Sequence, residues 1–246
     1  MGEDGEAVLE LAAVVTEVEE RLRAAGTPER AEGERRYLKS SLVHLGATLP
    51  QMHAETKRLT HEVTTHDDLV AVVTALWAPP IHDLRSCAVF LLSARVSLLD
   101  PADLPLLERL VREAKTWALV DVLAGDVLGK LLVSHPEMAY ELEPWAADPD
   151  FWVRRSALLS QLAPLRAGAS FDRFGRWADA MLDEREFFIR KAIGWVLRDA
   201  GRRRPAEVFA WLLPRATRTS GVTMREAVKY LPAEDGRRLQ AARQTG

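Results

Sequence analysis

The sequence predicts an all-α fold built as a solenoid of paired helices, on three observations: helical spacing of apolar residues throughout, almost no strand signal, and a motif that returns after about 35 residues. Residues 101–112 (PADLPLLERLVR), 187–200 (FFIRKAIGWVLRDA) and 204–213 (RPAEVFAWLL) place apolar side chains three and four apart, so each can bury one stripe against a neighbour. Two of these segments carry proline near their start, where a missing N–H forfeits no intrahelical bond. No Asn-Gly or Asp-Gly pair sits between alternating apolar runs, and β-branched residues never alternate with polar ones for long. The pattern resolves into about a dozen helices of 10–16 residues joined by short loops.

The repeat organises those helices. Phe151-Trp152-Val153-Arg154-Arg155-Ser156-Ala157 returns as Phe187-Phe188-Ile189-Arg190-Lys191-Ala192-Ile193, 36 residues on. Extending the register outward finds Arg85 in Arg85-Ser86-Cys87-Ala88 and Arg225 in Arg225-Glu226-Ala227-Val228. With Asp121 taken as the remaining member, the row reads Arg85, Asp121, Arg155, Lys191, Arg225, at gaps of 36, 34, 36 and 34. Stacked repeats place such equivalent positions along one face. Residues 1–246 are therefore expected to form a single domain, with 1–34 an acidic N-terminal helical segment.

Composition narrows the possibilities further. A chain of 246 residues, 48% hydrophobic, has enough apolar surface for a substantial core. The start, with Glu3, Asp4 and Glu6, lacks the positive charge of a secretory signal, and no apolar run approaches the roughly 20 residues of a membrane span. The expectation is a cytoplasmic protein with no membrane partner. Cys87 is the only cysteine, so neither an internal disulfide nor a CxxC metal site can form, and the residue reads as a small buried apolar group. Net charge is −3, but it is segregated: residues 1–34 carry 10 acidic and 3 basic side chains, 35–150 carry 16 and 11, and 151–246 carry 10 and 19. A basic C-terminal part of this kind suits a surface that neutralises phosphates, and a solvated charged helix face gives a weaker version of the same signal.

Asp121 interrupts the basic row. A carboxylate on a face meant for a polyanion repels phosphate, so it caps a helix, pairs with a neighbouring Arg, or serves a chemical purpose. Trp117 lies four residues before it, on the same helix face, and Trp195 stands in the same relation after Lys191. Trp152 sits in the repeat between them.

These stretches resemble the AlkD-like alkylpurine DNA glycosylases, a family whose fold is a superhelix of HEAT-like repeats with a concave, basic DNA-binding surface. Glu186-Phe187-Phe188-Ile189-Arg190-Lys191-Ala192-Ile193-Gly194-Trp195 matches the family's most specific stretch. Trp117 with Asp121 matches its Trp-x-x-x-Asp motif, and Trp152-Val153-Arg154-Arg155 its Trp-x-x-Arg motif. Tyr37-Leu38-Lys39 before Leu45-Gly46 and Pro50 looks like its N-terminal motif. The resemblance implies that Asp121 is the catalytic carboxylate, that Trp117 and Trp195 flank the lesion deoxyribose, and that Arg155 and Lys191 grip the backbone. Arg154, Arg190, Lys39, Tyr37, Trp152, Arg85 and Arg225 are the further candidate DNA contacts. The implied partner is duplex DNA containing an N3- or N7-alkylated purine, handled by the sugar and backbone without a base pocket. No cofactor, metal or nucleotide is implied, and the implied protein is a bacterial, nucleoid-associated monomer. Ala118 and Leu119, and Ser41-Leu42-Val43-His44 before the Leu-Gly turn, depart from the family pattern and bear on substrate preference more than on fold. Relatives of this kind include self-resistance enzymes that excise bulky natural-product adducts and forms that only bind DNA.

Other signals lead elsewhere. His61-Glu62 with His66 misses the i+4 spacing of a metalloprotease helix, and the segment reads as a solvated helix face. Gly125–Leu131 has three residues between its glycines where a P-loop has four. Arg202-Arg203-Arg204 before Pro205 closes one helix and opens the next, next to a possible role on a DNA backbone. The competing class is a protein-binding scaffold, since helical solenoids often serve that purpose and fold alone does not decide function.

Overall fold

The computed structural model describes residues 3–244, with side chains from residue 10 onward, so the acidic groups of Glu3, Asp4 and Glu6 lie outside the described side chains. The fold is all-α and helical-repeat. Among the described residues the only extended pairing is an isolated bridge between Val43 and Ile81. The chain divides into two compact units, 1–123 and 124–246.

In the first unit, α1 (Glu3–Ala25), α2 (Pro28–Leu38), α3 (Leu49–Glu62), α4 (His66–Trp77), α5 (His82–Ala94), α6 (Leu104–Ala114) and α7 (Trp117–Val122) follow in order. α5 is the buried centre, packed on α3, α4 and α7, and Leu84, Cys87, Ala88, Val89, Leu91 and Leu92 are all fully enclosed. Cys87 is thus the buried apolar residue expected, and burial pushes its thiol up to about 12, which leaves it unreactive. Thr27, Thr48 and Thr65 each cap the helix that follows by accepting from a backbone N–H of its first turn. Because Thr65 starts a new helix, His61-Glu62 and His66 fall on two separate helices, not on one solvated face. The helix expected from residue 101 begins as a 3-10 turn, Pro101–Asp103, and turns α-helical only at Leu104. Asp100 and Asp103 cap that turn reciprocally, and Pro105 then supplies a first-turn position for α6.

In the second unit, α8 (Gly129–Ser134), α9 (Phe151–Ser160), α10 (Leu162–Arg166), α11 (Asp172–Ala180), α12 (Phe187–Gly201), α13 (Pro205–Leu212), α14 (Gly221–Ala227) and α15 (Ala233–Gln244) follow. α12 is the centre here, packed on α14, α9 and α13. A π-helical turn, Leu123–Leu128, leads into α8, so the Gly125–Leu131 stretch is helix and forms no phosphate loop. Several helices are shorter than the 10–16 residues expected, because 3-10 turns such as Leu213–Arg215 and Val228–Tyr230 finish what the apolar period began.

The 35-residue register is visible as physical ties. Asp83 accepts from the backbone of Leu45 and Ala47, His66 meets Asp103, Trp77 donates to Glu113, Arg166 to Asp199, Trp177 to Glu143, Arg215 to Asp179 and Lys191 to Glu226. Each pair is 33–38 residues apart, which joins one repeat to the next.

Two glycines permit the closest backbone approach in the first unit. A Cβ on Gly26 would stand 2.1 Å from the Leu45 carbonyl oxygen, and one on Gly46, at φ +82°, would stand 2.3 Å from that of Thr27. Left-handed strain and a backbone clash combine at Gly46. Gly46→Ala is expected to lower the unfolding free energy by about 2–3 kcal/mol, read from urea denaturation midpoints at an unchanged m-value.

Candidate nucleic-acid interface

The row read from the sequence occupies equivalent helical positions. Asp121, Arg155, Lys191 and Arg225 are the fifth residues of α7, α9, α12 and α14, and Arg85 is the fourth of α5. Within each unit, helices that begin alike carry the row residue on the same turn, which is why its gap stays near 35.

In the first unit, Trp117 is the first residue of α7 and Asp121 lies one turn further, both partly buried. Tyr37, 73% exposed at the end of α2, packs edge-on against Trp117 with ring centroids 5.9 Å apart and planes at 83°. This contact holds the indole from the side and leaves Tyr37 largely in water. Lys39 and Lys115, at φ 50°, are the described non-glycine residues with left-handed backbone; they close α2 and α6 and turn the chain after Tyr37 and just before Trp117. Lys39 is exposed. Arg85 stacks on Trp77 at 4.8 Å and donates to the carbonyls of Trp77, Pro79 and Glu113, and burial draws its pKa below the ordinary value.

In the second unit, Arg155 is 3% exposed; it donates to the Phe188 carbonyl at 2.5 Å and lies 5.7 Å from that ring's centroid. Arg154 forms a two-nitrogen pair with Glu184, at 3.0 and 2.8 Å, and Arg190 donates to the Glu184 carbonyl at 2.6 Å. Trp152, 7% exposed, packs on Phe151 and Phe188, so it belongs to the core. Lys191 pairs with Glu226 at 2.5 Å, and Trp195 sits one turn on, partly buried. Arg225 is exposed. Arg202, Arg203 and Arg204 lie between α12 and α13 as expected; Arg202 covers the Tyr230 ring at 3.9 Å and Arg204 donates to the Ala169 carbonyl. Arg155 and Lys191 therefore reach protein acceptors one repeat away and Arg85 reaches three backbone carbonyls, a use that the charge count alone does not reveal.

Glu226 is the acceptor that sequence inspection passed over, although it stands 35 residues after Lys191, where the register points. Lys191, Lys229 and Arg198 all pair with it. Burial alone would raise its carboxyl; the hydrogen bonds from Lys191 and Lys229 and the charge of Arg198 outweigh it and hold the group at about 2. Gly194 makes the approach possible, since a Cβ there would stand 2.8 Å from the Glu226 Cβ.

A second cluster was equally invisible in sequence. Glu34, His44, His82 and Asp83 bring one donor atom each within 4.8 Å of the others, on the first unit. Burial and the charge of His44 push His82 down to about 4, against the pull of Glu34. Burial also raises Asp83, against the hydrogen bonds it accepts from Leu45 and Ala47.

The family model for DNA alkylation repair enzymes matches residues 18–231. The chain belongs to that family. Its fold is similar to a solved structure from Enterococcus faecalis, described as a predicted DNA alkylation repair enzyme, at TM-score 0.71 and 25% identity over 85% of this chain and 97% of that one. No curated protein matches the chain significantly. Family membership supports a role in DNA repair, and both helix centres, α5 and α12, with every row residue, fall inside the matched span. No described helix is long and apolar enough to cross a membrane.

The sign of the Glu226 shift sets an acid dependence. A carboxyl held at about 2 when folded contributes stability that is full above its ordinary 4.5 and is lost as pH falls toward 2. Unfolding midpoints recorded between pH 5 and 3 should fall less steeply for Glu226→Gln than for the wild type, while the variant is the less stable of the two at pH 7.

Proposed function

We propose that this family member is a monofunctional DNA glycosylase that hydrolyses the N-glycosidic bond of N3- or N7-alkylated purines in duplex DNA. The observation that carries this reading is Asp121 one helical turn beyond Trp117, with Trp117 braced edge-on by Tyr37. Alkylation at N3 or N7 makes the purine cationic, so its bond to C1′ is already weakened. As that bond breaks, its electron pair goes to the purine and positive charge develops on the sugar. A fixed carboxylate stabilises that charge, orients a water for attack at C1′ and accepts its proton. An indole face beside the sugar adds cation–π attraction and keeps solvent away. Trp117 takes this role in the first unit and Trp195 in the second.

Binding rests on the cations of the row. Arg155, whose guanidinium donates to the Phe188 carbonyl, is the anchored cation of the second unit in this reading. Lys39 and Arg225, both exposed, are the direct backbone contacts in this reading, and Lys191, Arg154, Arg190 and Arg85 contribute field and register. The substrate contact is to sugar and backbone on a monomer, and bulky adducts fall within its reach because no base pocket is invoked.

Free-base release from duplex DNA carrying N7-methylguanine or N3-methyladenine tests the reaction. Asp121→Asn should bind this DNA within about twofold of wild type and lose at least 100-fold in excision rate, about 2.7 kcal/mol of transition-state stabilisation; wild-type excision by this variant would remove Asp121 from the chemistry. Arg155→Ala should weaken both binding and excision, and also lower stability by about 1–3 kcal/mol because the Phe188 carbonyl loses a buried donor. DNA affinity should fall steeply between 50 and 200 mM salt, with a smaller slope for Lys39→Ala; affinity independent of salt would favour a scaffold that binds protein.

A further inference from the structure

We infer that Glu34, His44 and His82, with Asp83 behind them, form a site for one divalent metal ion of the zinc class, which clamps α2 to α5 through the loop between Leu38 and Leu49. The inference stands apart from the glycosylase reading and does not depend on it.

The donor set comes from three segments. Glu34 lies on α2, one turn before Tyr37; His44 sits in the loop; His82 and Asp83 open α5. His44 Nδ1 is 3.0 Å and His82 Nδ1 3.8 Å from the same Glu34 oxygen. These values bracket the donor–donor edge of about 3.3 Å in a tetrahedron with metal–ligand bonds of about 2.0–2.1 Å. All four donor atoms lie within 4.8 Å of one another, which leaves the fourth position to an Asp83 oxygen or to water.

The ring nitrogens supply a second, independent observation. The side chains of His44 and His82 are 1% and 4% exposed, yet His44 Nε2 and both nitrogens of His82 have no hydrogen-bond partner. Buried polar atoms left unpaired are expensive and rare. An ion held by the two Nδ1 atoms and Glu34 would give His82 Nδ1 the partner it lacks and take the place of the His44–Glu34 hydrogen bond. The rings are stacked, 4.4 Å between centroids and 14° from parallel. In that packing their in-plane lone pairs do not converge, so one ring turns about χ2 for both to ligate the ion, and uptake exchanges the stack for two metal–nitrogen bonds.

The surroundings match a metal's outer shell. Asp83 accepts from the amides of Leu45 at 2.8 Å and Ala47 at 3.0 Å and so fixes the loop that carries His44. Val43 donates to the Pro80 carbonyl and His82 to that of Val43, both at 2.8 Å, which holds loop and α5 together without the ion. A cleft of about 520 Å³, walled in part by Glu32, Arg35 and Leu42, borders the loop that carries His44. Imidazole and carboxylate ligands without thiolate favour Zn²⁺ or Co²⁺ over soft ions, and two imidazoles disfavour Mg²⁺ and Ca²⁺.

The full-length protein, stripped with a chelator and dialysed, is titrated with Co²⁺ and separately with Zn²⁺. The expected result is one ion per chain, with visible Co²⁺ absorption of tetrahedral intensity that Zn²⁺ displaces, and a thermal midpoint raised by several degrees with Zn²⁺. His82→Phe keeps an aromatic ring in the stack while removing two nitrogens, and Glu34→Gln removes the shared oxygen; both should lose the cobalt spectrum and the thermal shift, whereas His135→Ala keeps them. Absence of stoichiometric cobalt binding by the stripped wild type overturns the site, and so does binding by His82→Phe or Glu34→Gln at wild-type affinity. Should either variant fail to fold, the wild-type cobalt spectrum and stoichiometry decide by themselves.

Discussion

A helical pair of about 35 residues cannot bury its own apolar stripe, and the rest of this structure follows from that constraint. Each repeat needs the next one to cover it, so the polar side chains at the junction also lose water and need partners there. They find them in the adjacent repeat, onward for Trp77 at Glu113 and Lys191 at Glu226, and backward for Trp177 at Glu143 and Arg215 at Asp179. The aromatic donors show the logic best. Trp77 is almost wholly enclosed, and its indole N–H reaches Glu113 at 2.7 Å, so a large apolar surface is buried without stranding its one polar atom. The same requirement explains Gly194, whose missing side chain lets α12 and α14 come close enough for Glu226 to collect three cations.

These ties change what the positive charge of the C-terminal residues means. Counting 19 basic against 10 acidic side chains from 151 to 246 suggests a row of free cations. In the folded chain Arg154 is neutralised by Glu184, and Lys191, Arg198 and Lys229 share one carboxylate and keep a net excess. Arg155 donates to the Phe188 carbonyl. In the proposed function, binding and architecture draw on the same residues. A polyanion would meet a field anchored by the packing of the repeats, with little side-chain entropy left to lose on contact.

The arrangement around Trp117 shows how a local conformation positions the side chains of the proposed site. Lys39 and Lys115 adopt left-handed backbone that costs a β-carbon-bearing residue about 1 kcal/mol. Each ends a helix abruptly, and the abrupt end lets Tyr37 stand against Trp117 at the start of α7. A lysine in such a position also places its charge at a helix C-terminus, where the backbone dipole favours it. Asp121 then lies one turn along a helix whose beginning is determined by these contacts.

The sequence by itself determined the all-α class, the 35-residue period and the family, because apolar spacing and a run such as Glu186–Trp195 are properties of contiguous residues. It also located the row from Arg85 to Arg225, since equivalent positions in a repeat keep a constant gap. Tertiary structure alone decided which of those cations face protein, that Trp152 is core, and that His61 and His66 belong to different helices. It alone joined Glu34 and His44 to His82 and Asp83, about 40 residues further along the chain. The physical reason is the same in each case. Periodicity says which side of a helix is apolar, but the partner of a polar atom is set by which repeat stacks where, and that is settled only when the whole array buries its core.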